Sequence, residues 1–213
     1  MGNPSGKVVC LALDISTKTG WAVLEKDLST QKISLVAYGI EKLPKKIDAY
    51  GEYPWNYPEA TAAIADQILK IVSQTPADVI VIEEINKGKN RYTQKALDFI
   101  HLQVLQRLDA YRKKNPNLTP PVFYINTMDW RKKLGIALTK NDKANNKLVK
   151  KAADQGVKKA SLGVKGKIKY KHLAVRHVNE IFGLSFKVKD NDIADAICQC
   201  EAYLLGAPIC NGK

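Results

Sequence analysis

Residues 7–14, KVVCLALD, make a short run rich in Val and Leu that ends on Asp14; the turn-like ISTKTG then gives way to WAVLEKD and QKISLVAYGI. Runs of this length separated by turn residues predict strands, here an antiparallel meander of three. A loop rich in Pro, Tyr and Trp follows, LPKKIDAYGEYPWNYPEA, and Pro58 within it reads as a helix entry signal. Ala62, Ile64, Ile68, Leu69 and Ile71 then recur at helical spacing over 59–74. ADVIVIEE, residues 77–84, is a continuous β-branched run suited to a strand covered on both faces, and it ends in acids.

Residues 93–114 predict a long helix whose Leu97, Phe99, Ile100, Leu102, Val104, Leu105 and Leu108 form an apolar surface too broad for one contact stripe. Such a helix is either central or shared with a second subunit. PPVFYIN predicts a fifth strand, MDWRKKLG a short helix, and YKHLAVRHVNEIFGL an amphipathic helix. The order of elements predicts an α/β fold with a mixed five-stranded sheet flanked by helices on both faces, in a single domain spanning 1–213.

The final stretch, DNDIADAICQCEAYLL at 190–205, is apolar nearly all the way round a helix and yet opens with Asp190, Asp192 and Asp195. An Asp in a first turn complements the helix dipole and caps its free N–H groups, which could explain Asp190 or Asp192. Asp192 and Asp195 are also one turn apart, so their carboxylates share a face, where they repel unless a cation lies between them. The stretch alone leaves capping and metal binding both open. Asp14 and Glu83 end their strands, where α/β folds assemble their sites, and the two strands are plausible neighbours. Together the four acids offer oxygen donors of the hard type that Mg²⁺ or Mn²⁺ prefers.

Charge adds a partner. The net charge is +13, and between Arg131 and Lys171 there are 14 Lys or Arg against only Asp142 and Asp154. A segment so one-signed points to a polyanion, most simply nucleic acid; the bland reading is a disordered solubilising linker. It reads as a basic insertion at about 131–171, with some helix over 141–156. Cys10, Cys198, Cys200 and Cys210 lack zinc spacing and read as reduced, mostly buried thiols, and His101, His172 and His177 are scattered. No run of 18 apolar residues occurs and the first residues do not resemble a secretion signal, so the expectation is a soluble intracellular protein without a membrane partner.

LALDISTKTGWAV, VIVIEEINKGKN and DNDIADAI resemble, in order and approximate spacing, the three acidic motifs of the RuvC-like Holliday-junction resolvases of the ribonuclease H-like superfamily, most clearly the phage-type members. The resemblance spans most of the chain. It implies a cytoplasmic, DNA-associated endonuclease of a bacterial or phage-infected cell that resolves four-way branched DNA as a homodimer. It further implies catalytic and metal-binding roles for Asp14, Glu83, Asp192 and Asp195, which would hold two Mg²⁺ ions, replaceable by Mn²⁺. Two features depart from the family. Asn86 stands where bacterial members carry an aromatic that probes the junction centre, with Tyr92 as a speculative substitute, and the basic insertion is larger than in compact members. The rival readings are a less selective flap or RNA–DNA hybrid nuclease of the same fold, and a non-catalytic branched-DNA-binding protein. A third rests on LALDISTKTGWAV, which also resembles the phosphate loop of sugar kinases and actin-like ATPases; no second Gly-rich loop accompanies it, so no nucleotide cofactor is expected.

Overall fold

The computed structural model describes residues 6–43, 45–85, 91–158 and 166–210, without the Tyr92 side chain. Asn86 lies outside the described residues, as do 159–165 of the basic segment. Five strands, β1 (Lys7–Asp14), β2 (Lys18–Asp27), β3 (Ile33–Lys42), β4 (Val79–Glu83) and β5 (Val122–Ile125), form one sheet in the order β3-β2-β1-β4-β5. β1–β2 and β2–β3 pair antiparallel; β1–β4 and β4–β5 pair parallel. This is the mixed sheet that the hydrophobic pattern predicts.

Alternation along the central strands sends side chains to two separate cores. Leu11, Leu13, Val23, Ile80 and Ile82 pack against α1 (Asn56–Gln74) and α2 (Arg91–Lys114) through Ile64, Ile68, Ile100 and Val104. Cys10, Ala12, Ala22, Leu24, Val79 and Val81 pack on the other face, against α5 (Tyr170–Phe182) and α6 (Asn191–Leu204). The small side chains at 10, 12 and 22 let α6 settle close to the sheet, and Ala194, Ala196, Ile197, Cys198, Cys200 and Ala202 of that helix are fully buried. A helix with no polar face is thereby covered on nearly every side. The cysteines are free; three are buried and Cys210 is half-buried.

Three local expectations are adjusted. β2 starts at Lys18 rather than in WAVLEKD, because it pairs with β3 from Lys18 opposite Lys42 and with β1 from Gly20 opposite Asp14, which leaves only Ile15–Thr17 as a turn. α1 starts at Asn56, so Pro58 lies inside the first turn, where a missing N–H has no helical partner to lose. α2 buries one stripe, Ala96, Ile100, Val104 and Leu108, while Leu102 and Leu105 remain exposed. Among the described residues no helix is long and apolar enough to cross a membrane.

The described part of the basic segment is ordered. α3 (Thr127–Lys133) is capped by Asn126, whose side chain accepts from the Met128 amide. α4 (Lys140–Asp154) begins with a reciprocal cap between Thr139 and Asp142. Asn145 and Asn146 then bind the returning backbone at Gly166 and Ile168, and Asp142 meets Arg176 at 3.6 Å. The disordered-linker reading does not describe these residues.

Candidate active site

Strand register brings the first two acids together. β1 and β4 run parallel with Leu13 opposite Ile82, so the next residues on the two strands, Asp14 and Glu83, emerge side by side at the same sheet end. Asp14 alternates with Cys10 and Ala12, and Glu83 with Val79 and Val81, which directs both carboxylates to the face covered by α6. α6 approaches that end with Asp192 and Asp195 in its first turns. Its entry is set by contact with Gly20, where an added Cβ would lie 2.1 Å from the Asp192 carbonyl oxygen. The structure thus gathers all four predicted residues into one neighbourhood. Asp190 caps the turn before α6 by accepting from the Lys187 amide, and Glu84, which lines a cleft with Asp14 and Glu83, accepts from Asn126.

Neighbouring donors hold two of the acids. Glu83 Oε1 accepts from the Thr127 hydroxyl, and Oε2 accepts from the Trp130 indole N–H at 3.1 Å and the Gln199 amide at 3.0 Å. Asp192 accepts from Lys18 Nζ at 2.6 Å through Oδ2 and from Asn191 through Oδ1. Asp195 differs: its Oδ1 is buried without a hydrogen-bond partner. Burial, and after it repulsion from Glu83, Asp195 and Asp192, raises Asp14 well above the usual carboxylate range. Burial and Glu83 push Asp195 up to about 7, against the opposing pull of Arg131.

Such crowding is costly for the bare protein and favourable for a hard cation, which would convert mutual repulsion into shared attraction. Oxygen-only donors and an orphaned carboxylate oxygen fit Mg²⁺ or Mn²⁺ chemistry. Among the described residues, no three acids, histidines or cysteines stand already arranged around a single ion position. Glu83 and Asp192 are held instead in hydrogen bonds to protein donors.

No protein-family model matches the chain, and no curated protein matches it in sequence. Solved structures do match. Thermus thermophilus RuvC in complex with Holliday junction substrate aligns over 96% of this chain and 99% of its own, at 14% identity and a TM-score of 0.55. A second T. thermophilus RuvC structure aligns over the same shares at 14% identity and a TM-score of 0.57. The yeast mitochondrial Holliday junction resolvase Ydc2 aligns over 93% of this chain and 78% of its own, at 12% identity and a TM-score of 0.55. The chain has the RuvC-like, ribonuclease H-type fold.

Within this RuvC-like fold, sequence reading missed the residues that surround the acids. Gln199 lies one turn after Asp195 on α6, a spacing that could have revealed it; Thr127, Trp130 and Lys18 carry no such signal. Arg131, beside the fully buried Trp130, has its guanidinium 4.9 Å from both the Trp130 and Tyr170 rings, which joins the start of α5 to the residue holding Glu83. His101 lines a cleft of about 220 Å³ with Asp14, Ser16, Glu83 and Leu97, and burial pushes its imidazole down to about 4, so it is neutral near pH 7. His172 and His177 are used elsewhere, His172 accepting from the Lys169 amide and His177 pairing with Glu201.

The charge on α4 is sorted by face. Lys140, Lys143, Lys147 and Lys150 recur at intervals of three and four, so they line one exposed side, flanked by Lys151. Asp142, Val149 and Ala152 on the other side are buried. The stripe extends roughly 15 Å along the helix.

The raised Asp195 carboxyl predicts a pH effect on stability. In the unfolded chain it titrates near 3.8 and in the folded one near 7, so between these values the folded state binds more protons. The contribution of Asp195 to stability is therefore most favourable below about pH 4 and declines as pH rises toward 7. Asp195→Asn removes the penalty. In EDTA at pH 8 the variant is expected to be more stable by on the order of 1–3 kcal/mol, with little gain at pH 4. Urea denaturation at both pH values measures this, and a less stable variant at pH 8 contradicts the account.

Proposed function

We propose that the chain is a divalent-cation-dependent endonuclease that nicks four-way branched DNA in pairs, leaving 5′ phosphate and 3′ hydroxyl ends. The observation that carries the reading is the convergence of Asp14, Glu83, Asp192 and Asp195, close enough that burial and one another's charge shift two of them. The RuvC-like fold supports it, since one protein of that fold is recorded with a Holliday junction substrate.

In this reading Asp14 and Asp195 would hold the cations as deprotonated carboxylates beside Glu83 and Asp192. Glu83 is aimed by Thr127, Trp130 and Gln199, and Asp192 by Asn191. When bound, a pair of Mg²⁺ ions, or Mn²⁺ in their place, supplies a water of lowered pKa and charge compensation at the leaving 3′ oxygen. Arg131 offsets the acids' negative charge from the protein side. The basic insertion, within a single domain, tracks the DNA backbone through the α4 lysines. A four-way junction has approximate two-fold symmetry, which a homodimer matches with two sites. The exposed Leu102 and Leu105 on α2 suit such an interface.

The test is a panel of synthetic four-way junctions, flaps, RNA–DNA hybrids and linear duplexes incubated with Mg²⁺ or Mn²⁺. Symmetric cutting of junctions in preference to the rest supports the proposal. Equal cutting of hybrid, flap or linear duplex favours the less selective nuclease, and binding without cutting favours a non-catalytic protein.

Replacing Lys140, Lys143, Lys147 and Lys150 together by Gln is expected to weaken junction binding and to lower the slope of log affinity against log salt by about 2–4, roughly 0.9 for each phosphate that is no longer neutralised. Titrations between about 50 and 200 mM KCl read this slope, and an unchanged slope removes α4 from the interface.

A further inference from the structure

Lys18 is the first residue of β2 and touches the acidic cluster from outside it. Its backbone is pinned: the Ser16 hydroxyl accepts from the Lys18 amide at 3.0 Å and donates to the Lys18 carbonyl at 2.9 Å. Two residues later, Gly20 lies hard against the Asp192 backbone. The root of the side chain is therefore fixed relative to α6, while the four-carbon arm is free to swing. In the structure its ammonium donates to Asp192 Oδ2 at 2.6 Å and to the Lys189 carbonyl at 3.0 Å. The Lys18 side chain is 37% exposed and that of Asp192 is 21% exposed, so an outward path into solvent is open to the lysine.

An ammonium and a divalent cation cannot share a carboxylate oxygen without repelling each other. With Asn191 on the other oxygen, Asp192 has both oxygens engaged by protein donors.

We propose that Lys18 is a tethered counter-ion of the cluster: it neutralises Asp192 while the site is without a divalent cation and surrenders that carboxylate when one binds. The inference rests on the reading of the four acids as a cation site. Lys18 then acts as a positioning residue that sets the threshold cation concentration, and its released ammonium lies beside the acids with its charge free for a phosphate.

The test uses the full chain and Mg²⁺ alone. Calorimetry should show Lys18→Met binding Mg²⁺ about two- to fivefold more tightly than wild type, the range expected from removing a partly exposed ion pair. Lys42→Met is the control for overall charge, because Lys42 is the strand partner of Lys18 and belongs to the same part of the sheet; its effect should be smaller. Nitrogen-detected NMR of the lysine ammonium groups adds a readout that folding alone does not move. A Lys18 signal immobilised by its carboxylate should vanish or shift as Mg²⁺ is added. Unchanged or weaker Mg²⁺ binding by Lys18→Met, an equal gain in Lys42→Met, or a Lys18 signal indifferent to Mg²⁺ overturns the proposal. If neither wild type nor Lys18→Met binds Mg²⁺, the cation site itself is refuted, and the nuclease reading fails with it.

Discussion

Asp14→Asn is expected to lower junction cleavage at least about 10³-fold, equivalent to roughly 4 kcal/mol of transition-state stabilisation, while junction binding is kept or strengthened. Asp14 is the acid on which the others converge: Glu83, Asp195 and Asp192 all raise it, and it ends the central strand of the acidic face. Asn keeps the shape and loses the charge. Burial and three neighbouring acids raise the Asp14 carboxyl, so holding it costs the folded cation-free protein stability relative to the unfolded chain; Asn carries no such penalty, and the variant should melt no lower than wild type in EDTA. Loss of activity in a protein at least as stable separates a chemical role from a structural one. Single-turnover cleavage, gel-shift binding and thermal melts measure the three quantities. Near-normal cutting by Asp14→Asn would remove this residue from the site.

The second large effect concerns a residue with no side chain. At Gly20 a Cβ would lie 2.1 Å from the Asp192 carbonyl oxygen, 2.3 Å from its carbonyl carbon and 2.7 Å from the Ile193 nitrogen. All three are backbone atoms of α6, so no rotamer change relieves the overlap, and α6 must shift as a body. That helix is packed on β1, β2 and β4 through fully buried residues, and a shift opens the core beneath it. Gly20→Ala is expected to cost about 2–4 kcal/mol, a range around the upper end for overpacking, and to lower the melting temperature by about 5–15 °C. Cleavage should fall further than the folded fraction, because Asp192 and Asp195 travel with α6 while Asp14 and Glu83 stay on the sheet. Full stability and full cleavage in Gly20→Ala would mean that this close approach does not set the position of the acids.

Much of this arrangement was legible in the residues because it depends on local periodicity. KVVCLALD and VIVIEE are short, apolar and closed by acids, so strand ends carrying Asp14 and Glu83 follow from pattern alone. The apolar circumference of 191–204 announces a buried helix, and the one-turn spacing of Asp192 and Asp195 survives in it. Illegible were interactions set by tertiary approach. Gln199 reaches Glu83 across 116 residues and Trp130 across 47, and each has an ordinary reading as a helical residue or a core aromatic. ISTKTG is rich in turn formers and reads as a turn, yet pairing with β3 from Lys18, and at Gly20 pairing with β1 and packing on α6, draw its latter half into β2. The apolar positions on 93–114 suggest a surface broader than one stripe, but their division into a buried stripe and the exposed Leu102 and Leu105 depends on where α1 and the sheet lie.

The most direct measurement is anomalous scattering from crystals grown with Mn²⁺ and a four-way junction bound to the Asp14→Asn protein and, in parallel, with Mn²⁺ alone in wild type. The account predicts manganese peaks in wild type among Asp14, Glu83, Asp192 and Asp195, at roughly the 2.0–2.2 Å of metal–oxygen bonds, and their loss or weakening in Asp14→Asn. Manganese bound elsewhere with these four carboxylates unliganded would contradict it.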